Sequence, residues 1–425
     1  MENRYDKYKD SGIAWIGEIP EHWILKRIKN ICDNLDYLRE PISAEHRSRN
    51  NPIYDYYGAS GVIDKIDYYN VDDEVLLIGE DGANLVMRSL PLVYKAKGKF
   101  WVNNHAHILK PRNNNYDFCA YTFEAADYSL FITGSAQPKL SQENLGRIKI
   151  AIPLLSEQQS IATYLDQKCG EIDKLITLQE EIITKLQSYK QSVITEAVTK
   201  GLDKNVPLKD SGIEWIGEIP EHWKVKRLKF SCNVFGRIGF RGYKSDDLVS
   251  EGNGAITLSP SNMKDMKMDY TNRTYLSWKK YYESPEIMIS KNDILMVKTG
   301  STYGKCSFVD DIPMECTINP QIVVFKQHKD YPKFLAYSFQ TKATRAFVET
   351  SVVGGTIPTI AQEKIMNYFF AFPPLSEQQS IANYLDQKCS EIDELISIKQ
   401  QKIEKLKDYK KSLIFECVTG KRKVS

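Results

Sequence analysis

Three pairs of polar segments hold most of the side chains in this 425-residue sequence that could engage a ligand. Residues 79–84 (GEDGAN) and 298–305 (KTGSTYGK) form the first pair. Residues 101–107 (WVNNHAH) and 317–321 (TINPQ) form the second. Residues 134–145 (GSAQPKLSQENL) and 354–365 (GGTIPTIAQEKI) form the third. Their Asn, Gln, Ser, Thr, Lys, Tyr and His side chains are the types that read base edges and hold phosphates. Basic residues add a candidate anion-binding face. In the first half they are Lys26, Arg27, Lys29, Arg39, Arg47 and Arg49. In the second they are Lys224, Lys226, Arg227, Lys229, Arg237, Arg241 and Lys244. A local positive face can bind phosphate even though the whole chain carries a formal charge of only +2. Scattered charge on a solvated surface is the competing reading of any one cluster.

Other motifs stop short of catalysis. Residues 51–54 (NPIY) resemble the tetrapeptide with which amino-methyltransferases grip a target amine, but Ile53 stands where that motif has proline. No glycine-rich loop follows a strand to hold S-adenosylmethionine. Residues 300–306 (GSTYGKC) are one residue short of a phosphate-binding loop, and Cys306 replaces the Ser/Thr that would reach Mg2+. Glu80, Asp81 and Asp293 make no nuclease arrangement with a lysine. The eight cysteines show no CxxC spacing; Cys32 and Cys232, and Cys169 and Cys389, recur at matching places and read as small core residues. His22 and His222 have no second metal ligand nearby and read as structural. No apolar run is long enough to span a membrane and no signal peptide opens the chain, so a reducing cytoplasm is expected. These residues predict a non-catalytic protein.

The polar loops must be carried by regular elements, and apolar patterning indicates which. Residues 73–78 (DEVLLI) and 293–297 (DILMV) predict short buried strands leading into the first loop pair. Helices are expected around 118–131 and 332–348. The strongest signal is a duplication. Residues 153–199 and 373–419 align without a gap, with about 30 of 47 positions identical. Each predicts one long helix of roughly 65 Å, opened by a capping box at Ser156 and Gln159 or at Ser376 and Gln379. Its apolar seam reads Ile161, Leu165, Ile172, Leu175, Ile182, Leu186, Tyr189 and Val193 in the first copy. In the second copy the seam reads Ile381, Leu385, Ile392, Leu395, Leu406, Tyr409 and Leu413. Gln179 and Lys399 interrupt it at equivalent positions, either to fix register or as solvated side chains. Two matching amphipathic helices most simply pack on each other; pairing of each with another protein's helix is the alternative.

A second repeat, residues 10–29 (DSGIAWIGEIPEHWILKRIK), returns at 210–229 (DSGIEWIGEIPEHWKVKRLK). Its copies are 200 residues apart, whereas the helices are 220 apart, so the second half carries about 20 extra residues in its middle. Trp15, Trp23, Trp215 and Trp223 either pack this motif onto a domain body or face a partner. A copied scaffold with divergent polar loops suits a device that reads two short DNA segments while its long helices set an unread gap.

The repeated GIxWIGEIPEHW and LSEQQSIAxYLDQK segments, with a GSAQPKL-type loop closing the first variable region, resemble the specificity subunits of type I restriction-modification systems. The resemblance covers nearly the whole chain. It implies an α+β fold in which two β-rich target-recognition domains alternate with two long helices, packed as an antiparallel coiled coil with an internal pseudo-two-fold repeat. The implied boundaries are 1–152 and 201–372 for the recognition domains, 153–200 for the first spacer helix, and 373–425 for the second with a tail. It also implies a non-catalytic reader of double-stranded DNA with a bipartite site. Such a reader docks two methyltransferase subunits, which methylate adenine N6, and restriction subunits. S-adenosylmethionine, ATP and Mg2+ would sit on those partners and no cofactor on this chain. No fixed contact signature transfers, because the family's reading loops vary. The candidate DNA contacts in the first domain are Tyr57, Ser60, Glu80, Asp81, Asn84, Asn103, Asn104, His105, Ser135, Gln137 and Lys139. In the second they are Lys298, Ser301, Thr302, Tyr303, Lys305, Asn319, Gln321, Thr356 and Thr359, with Ile357 standing where the first loop has Gln137. A self-sufficient methyltransferase or nuclease is the rival reading, separable by S-adenosylmethionine binding. A purely structural coiled-coil connector would leave the polar loops unexplained.

Overall fold

A computed structural model describes residues 4–47, 52–237, 239–353 and 358–424. The chain divides into two units: residues 1–180 with 400–425, and residues 181–399. The same device opens each unit. In the first, Tyr8–Asp10 pairs antiparallel with Glu18–Pro20. Gly17 closes the turn with a φ of +68°, which glycine alone adopts without strain. In the second, Leu208–Asp210 pairs with Glu218–Pro220. Each hairpin delivers a fully buried tryptophan to the first turn of a long helix. Trp23 donates its indole N–H to Glu157 Oε1 at 3.1 Å, and His22 Nε2 lies 3.0 Å from Glu157 Oε2. Trp223 and His222 make the same contacts with Glu377, at 3.1 and 2.8 Å. A carboxylate is favoured there, where helix N–H groups converge. Trp15 meets Phe415 in the first unit, and Trp215 stacks on Phe347 at 4.2 Å in the second. All four tryptophans therefore pack inside their units.

The long helices are Leu155–Lys200 and Leu375–Val418. Each is followed by a glycine with positive φ, Gly201 at +76° and Gly420 at +72°, which lets the chain leave the helix. The expected capping boxes do not form. The helices begin at Leu155 and Leu375, so Ser156 and Ser376 already lie inside them. A buried glutamine in the first turn instead ties each helix to its surroundings. Gln158 Nε2 donates to Pro153 O at 3.0 Å, and its Oε1 accepts the Asn115 N–H at 2.8 Å. Gln378 repeats this with Pro373 O and the Tyr331 N–H at 2.9 and 2.8 Å.

The helices run antiparallel, since within each unit the start of one meets the end of the other. In the first unit Lys410 Nζ pairs with Asp173 at 2.7 Å, beside buried Ile161, Leu165, Ile172 and Leu413. In the second Lys190 Nζ pairs with Asp393 at 2.6 Å, beside buried Val193, Ile381, Leu385 and Ile392. The seam departs from the expected one at Leu175, Tyr189, Leu395 and Tyr409, which are 44%, 58%, 46% and 52% exposed. After Ile172 it advances by four to half-buried Ile176 and by three to Gln179; after Ile392 it takes the same steps through Ile396 to Lys399. Gln179 is therefore a buried seam residue, and its Oε1 has no partner among the described residues.

The first unit's body is a six-stranded sheet. Its spatial order is Cys32–Asn34, Ala106–Pro111, Val71–Gly79, Val93–Val102, Tyr54–Gly58, Gly61–Ile66. The second unit divides the equivalent strands between two four-stranded sheets. One holds Asn233–Gly236, Ile322–Lys326, Ile294–Val297 and Cys306–Phe308; the other holds Leu248–Val249, Tyr275–Ser277, Gly254–Leu258 and Cys316–Ile318. The helix expected at 118–131 is Tyr116–Ala125, followed by a separate turn at Ser129–Phe131. The one expected at 332–348 is broken into Pro332–Phe339 and Lys342–Thr350, because Thr341 caps the second piece through its side chain.

Candidate nucleic-acid interface

At one end of each unit's strands the backbone builds the same frame from three loops. In the first unit Glu80 N–H donates to His105 O at 2.9 Å, Gly82 N–H to Pro138 O at 3.0 Å, and Leu140 N–H to Glu80 O at 2.7 Å. In the second unit Lys298 N–H donates to Gln321 O at 2.8 Å, Gly300 N–H to Pro358 O at 3.0 Å, and Ile360 N–H to Lys298 O at 2.8 Å. A matching asparagine stabilises the middle loop: Asn103 Oδ1 accepts the His105 N–H at 2.8 Å, and Asn319 Oδ1 the Gln321 N–H at 3.0 Å. Isolated bridges join Asp81 to Lys139 and Thr299 to Thr359. Asn103 N–H reaches Tyr57 O, and Asn319 N–H reaches Leu258 O. The offset between equivalent residues thus grows from 201 at Tyr57 and Leu258 to 218 at Glu80 and Lys298. Most of the second unit's extra residues lie between those points, in the segment holding the Met263–Lys264 and Lys267–Met268 hairpin and the Trp278–Tyr282 helix.

The frame gathers most of the first unit's candidate contacts. Asn104, His105, Ser135, Gln137 and Lys139 are exposed on it, and Ser60 is exposed in the adjoining turn. Gly134 makes the closing loop tight: with φ +83°, a Cβ there would lie 2.5 Å from Gln137 O. Tyr57 is half-buried against Phe100, and burial raises its phenol above the usual range. Asn84 and Asn103 spend their amides within the loops. Asn84 Nδ2 holds Leu90 O and Pro91 O, both at 3.2 Å, and Asn103 is 5% exposed.

Electrostatics around Glu80 are closed internally. Arg39 Nη1 and Lys139 Nζ both pair with its carboxylate, the latter at 3.0 Å. Burial alone would raise the Glu80 pKa, but these two partners hold it below the usual carboxylate range. Asp36 behaves likewise: burial opposes ionisation, yet His107 Nδ1 at 2.6 Å and the Ile108 N–H at 2.8 Å keep it low. His107 Nε2 lies 2.8 Å from Leu140 O, so this buried pair ties the sheet to the closing loop. Asp81 pairs with His105 Nδ1 at 2.8 Å. Reading residue types alone misses Asp36 and His107. The available signal is a histidine followed by an apolar run, HIL, which is the pattern of a buried polar group needing a partner.

In the second unit the frame brings together Lys298, Asn319, Gln321 and Thr359. Ser301, Thr302, Tyr303 and Lys305 lie in the hairpin turn beyond it, beside Arg345 and Glu349. That turn joins strands Ile294–Val297 and Cys306–Phe308, so no helix follows it as a phosphate-binding loop requires. Thr356 and its neighbour Ile357 lie outside the described residues, as do Asn51 and Arg49. Several of the basic residues are engaged within their units. Arg47 pairs with Asp64 at 3.0 Å, Lys226 with Asp330 at 2.6 Å and Arg241 with Glu286 at 3.3 Å. Arg237 is buried and donates to Ile318 O and Thr317 Oγ1 at 3.2 and 3.1 Å. All eight cysteines are buried and free, and no group of three or more metal-ligating side chains occurs among the described residues.

Residues 20–188 and 220–408 each match the family model of the type I restriction modification DNA specificity domain. The specificity subunit of the type I restriction enzyme MjaVIII, from Methanocaldococcus jannaschii, is 26% identical over 296 residues, covering 68% of this chain and 66% of that protein. From the same organism, a chain provisionally named the type I restriction enzyme MjaX specificity subunit is 24% identical over 431 residues, 96% of each. A chain solved in work on complex assembly and conformational transition of the type I R-M system superposes with a TM-score of 0.68 at 14% identity, over 94% of this chain and 98% of that one. That likeness is one of fold. With both halves matched, the chain belongs to the specificity subunits of type I restriction-modification systems, a non-catalytic family that carries DNA recognition.

Proposed function

We propose that each unit's three-loop frame reads one half of a bipartite DNA site. The reading takes residues 1–152 and 201–372 as the two target-recognition domains. Residues 153–200 and 373–425 are the spacer helices with their tail, which set the unread gap and dock two methyltransferase subunits. Those partners methylate adenine N6 with S-adenosylmethionine, and restriction subunits supply the ATP- and Mg2+-dependent steps. The working location is the cytoplasm. Among the described residues no helix is long and apolar enough to cross a membrane. One observation carries the reading: identical backbone hydrogen bonds recur in both frames while the side chains they present differ, Glu80 against Lys298, His105 against Gln321 and Lys139 against Thr359. Copies that hold a frame constant and vary its contents suit recognition of two different sequences.

The test is a map of modified adenines by single-molecule sequencing, after expressing this chain with a methyltransferase subunit from its own system. The expected result is a two-part motif with an unread gap. Modification at one continuous motif, or none from an assembled complex, would overturn the proposal.

A further inference from the structure

Strand register extends the equivalence of the two frames beneath their loops. His107 pairs with Ile78, and Val323 pairs with Met296 at the same place. Gly236 lies opposite Val323, where the first unit sets Asp36 against His107. The first unit's connected charges, Asp36, His107, Arg39, Glu80 and Lys139, therefore have a reduced counterpart. At the positions of Asp36, His107, Glu80 and Lys139 the second unit has Gly236, Val323, Lys298 and Thr359. Lys298 is the one charged residue among these four. Its ammonium is half-buried, and among the described residues it forms no ion pair or hydrogen bond. Burial holds its pKa below the usual lysine range, with no opposing charge to restore it. A recessed, unpaired cation is costly to keep unless a ligand completes it. The Lys298 ammonium lies beside Gly236, where a Cβ would be 3.4 Å from its Nζ.

Gln321 is the next cross-strand neighbour beyond the Val297–Ile322 pair. Its Oε1 accepts from Asn319 Nδ2 at 3.1 Å, leaving Nε2 as a donor. Lys298 and Gln321 together thus offer donors. In the major groove guanine presents two acceptors, O6 and N7, whereas adenine sets a donor beside N7. We propose that Lys298, assisted by Gln321, selects a guanine in the half-site read by the second unit. This rests on the DNA-reading assignment above.

The experiment is selection from randomised duplexes by the full chain assembled with its methyltransferase partner, using wild type, Lys298→Met and Lys298→Arg. Wild type should return a bipartite motif with a fixed guanine in one half. Lys298→Met should lose the preference at that single position, by roughly ten- to a hundredfold, with the other half unchanged. Lys298→Arg should retain it, since arginine gives guanine the same donors. Equal loss on every sequence with a shallower salt dependence would mean a phosphate contact and would overturn the inference alone. So would an unchanged motif. No motif from wild type would overturn the DNA-reading assignment and this inference with it. Lys298→Met should also melt at or above wild type; a lower Tm would show that the ammonium is paired after all.

Discussion

Asp36 illustrates how the closing loop of the first unit's frame is held by a residue that is itself buried. Its carboxylate accepts from His107 and from the Ile108 N–H, and His107 in turn reaches the closing loop at Leu140. Removing one partner of such a buried pair costs about 3–5 kcal/mol, so Asp36→Ala should lower the urea midpoint of the first unit's transition accordingly. The pH dependence has a definite sign. Asp36 has a folded pKa below its unfolded value of about 3.9, so its contribution is complete above roughly pH 5. It is lost as pH falls through the depressed folded value. The gap between wild type and Asp36→Ala should therefore narrow as pH falls from about 5 through the depressed folded value. A gap that stayed undiminished down to about pH 2 would contradict the assignment. At this scale the sequence makes side-chain chemistry legible but not its occupancy. Glu80, Asn84 and Asn103 are polar loop residues by type. Only the fold shows that Arg39 and Lys139 close the first and that the amides of the other two hold their own loops.

Among the elements, the long helices are the most legible and their termini the least. A duplicated segment without proline predicts length well, since 3.6-residue periodicity accumulates over many turns. Caps depend on tertiary neighbours. The helices start at Leu155 and Leu375, one residue before the serines expected to cap them, and Gln158 and Gln378 in the first turn accept the N–H of Asn115 or Tyr331 at the start of a neighbouring helix. The seam is misread at Leu175 and Leu395 because advancing by three from Ile172 or Ile392 fits the same spacing rule as advancing by four. Two glycines give opposite predictions for the helix ends and middles. Gly170 lies within the first long helix, and a Cβ there would meet nothing within 4 Å. Gly170→Ala should therefore raise stability by about 0.5–1 kcal/mol. Gly420 has a φ of +72°, and its Cβ would lie 2.3 Å from Pro20 Cδ. Gly420→Ala should destabilise by more than about 1 kcal/mol. Opposite shifts in Tm would support both placements, whereas a neutral Gly420→Ala would show that the helix end does not dock on the opening hairpin.

For the whole molecule, duplication is the main legible fact, and it is what motivates the proposed spacer role of the long helices. Had they served only to stabilise each unit, two copies need not have kept about 30 of 47 positions while the regions between them diverged. Constant helices with variable frames make sense if the helices fix a distance that the paired reading depends on. The distance is testable by matched deletion. Residues 181–184 and 401–404 are equivalent blocks within the two helices. Removing both keeps the antiparallel partners matched in number and takes out just over one turn from each helix. The rise lost is about 6 Å. With base pairs spaced about 3.4 Å apart, the unread gap should contract by at most about two base pairs, while both half-site sequences stay the same. The adenine-methylation map of the deletion complex reads gap and half-sites at once. A contracted gap with intact halves would establish the helices as the ruler. An unchanged gap would move that role to the loops, and altered half-sites would mean that the deletion had disturbed the frames themselves.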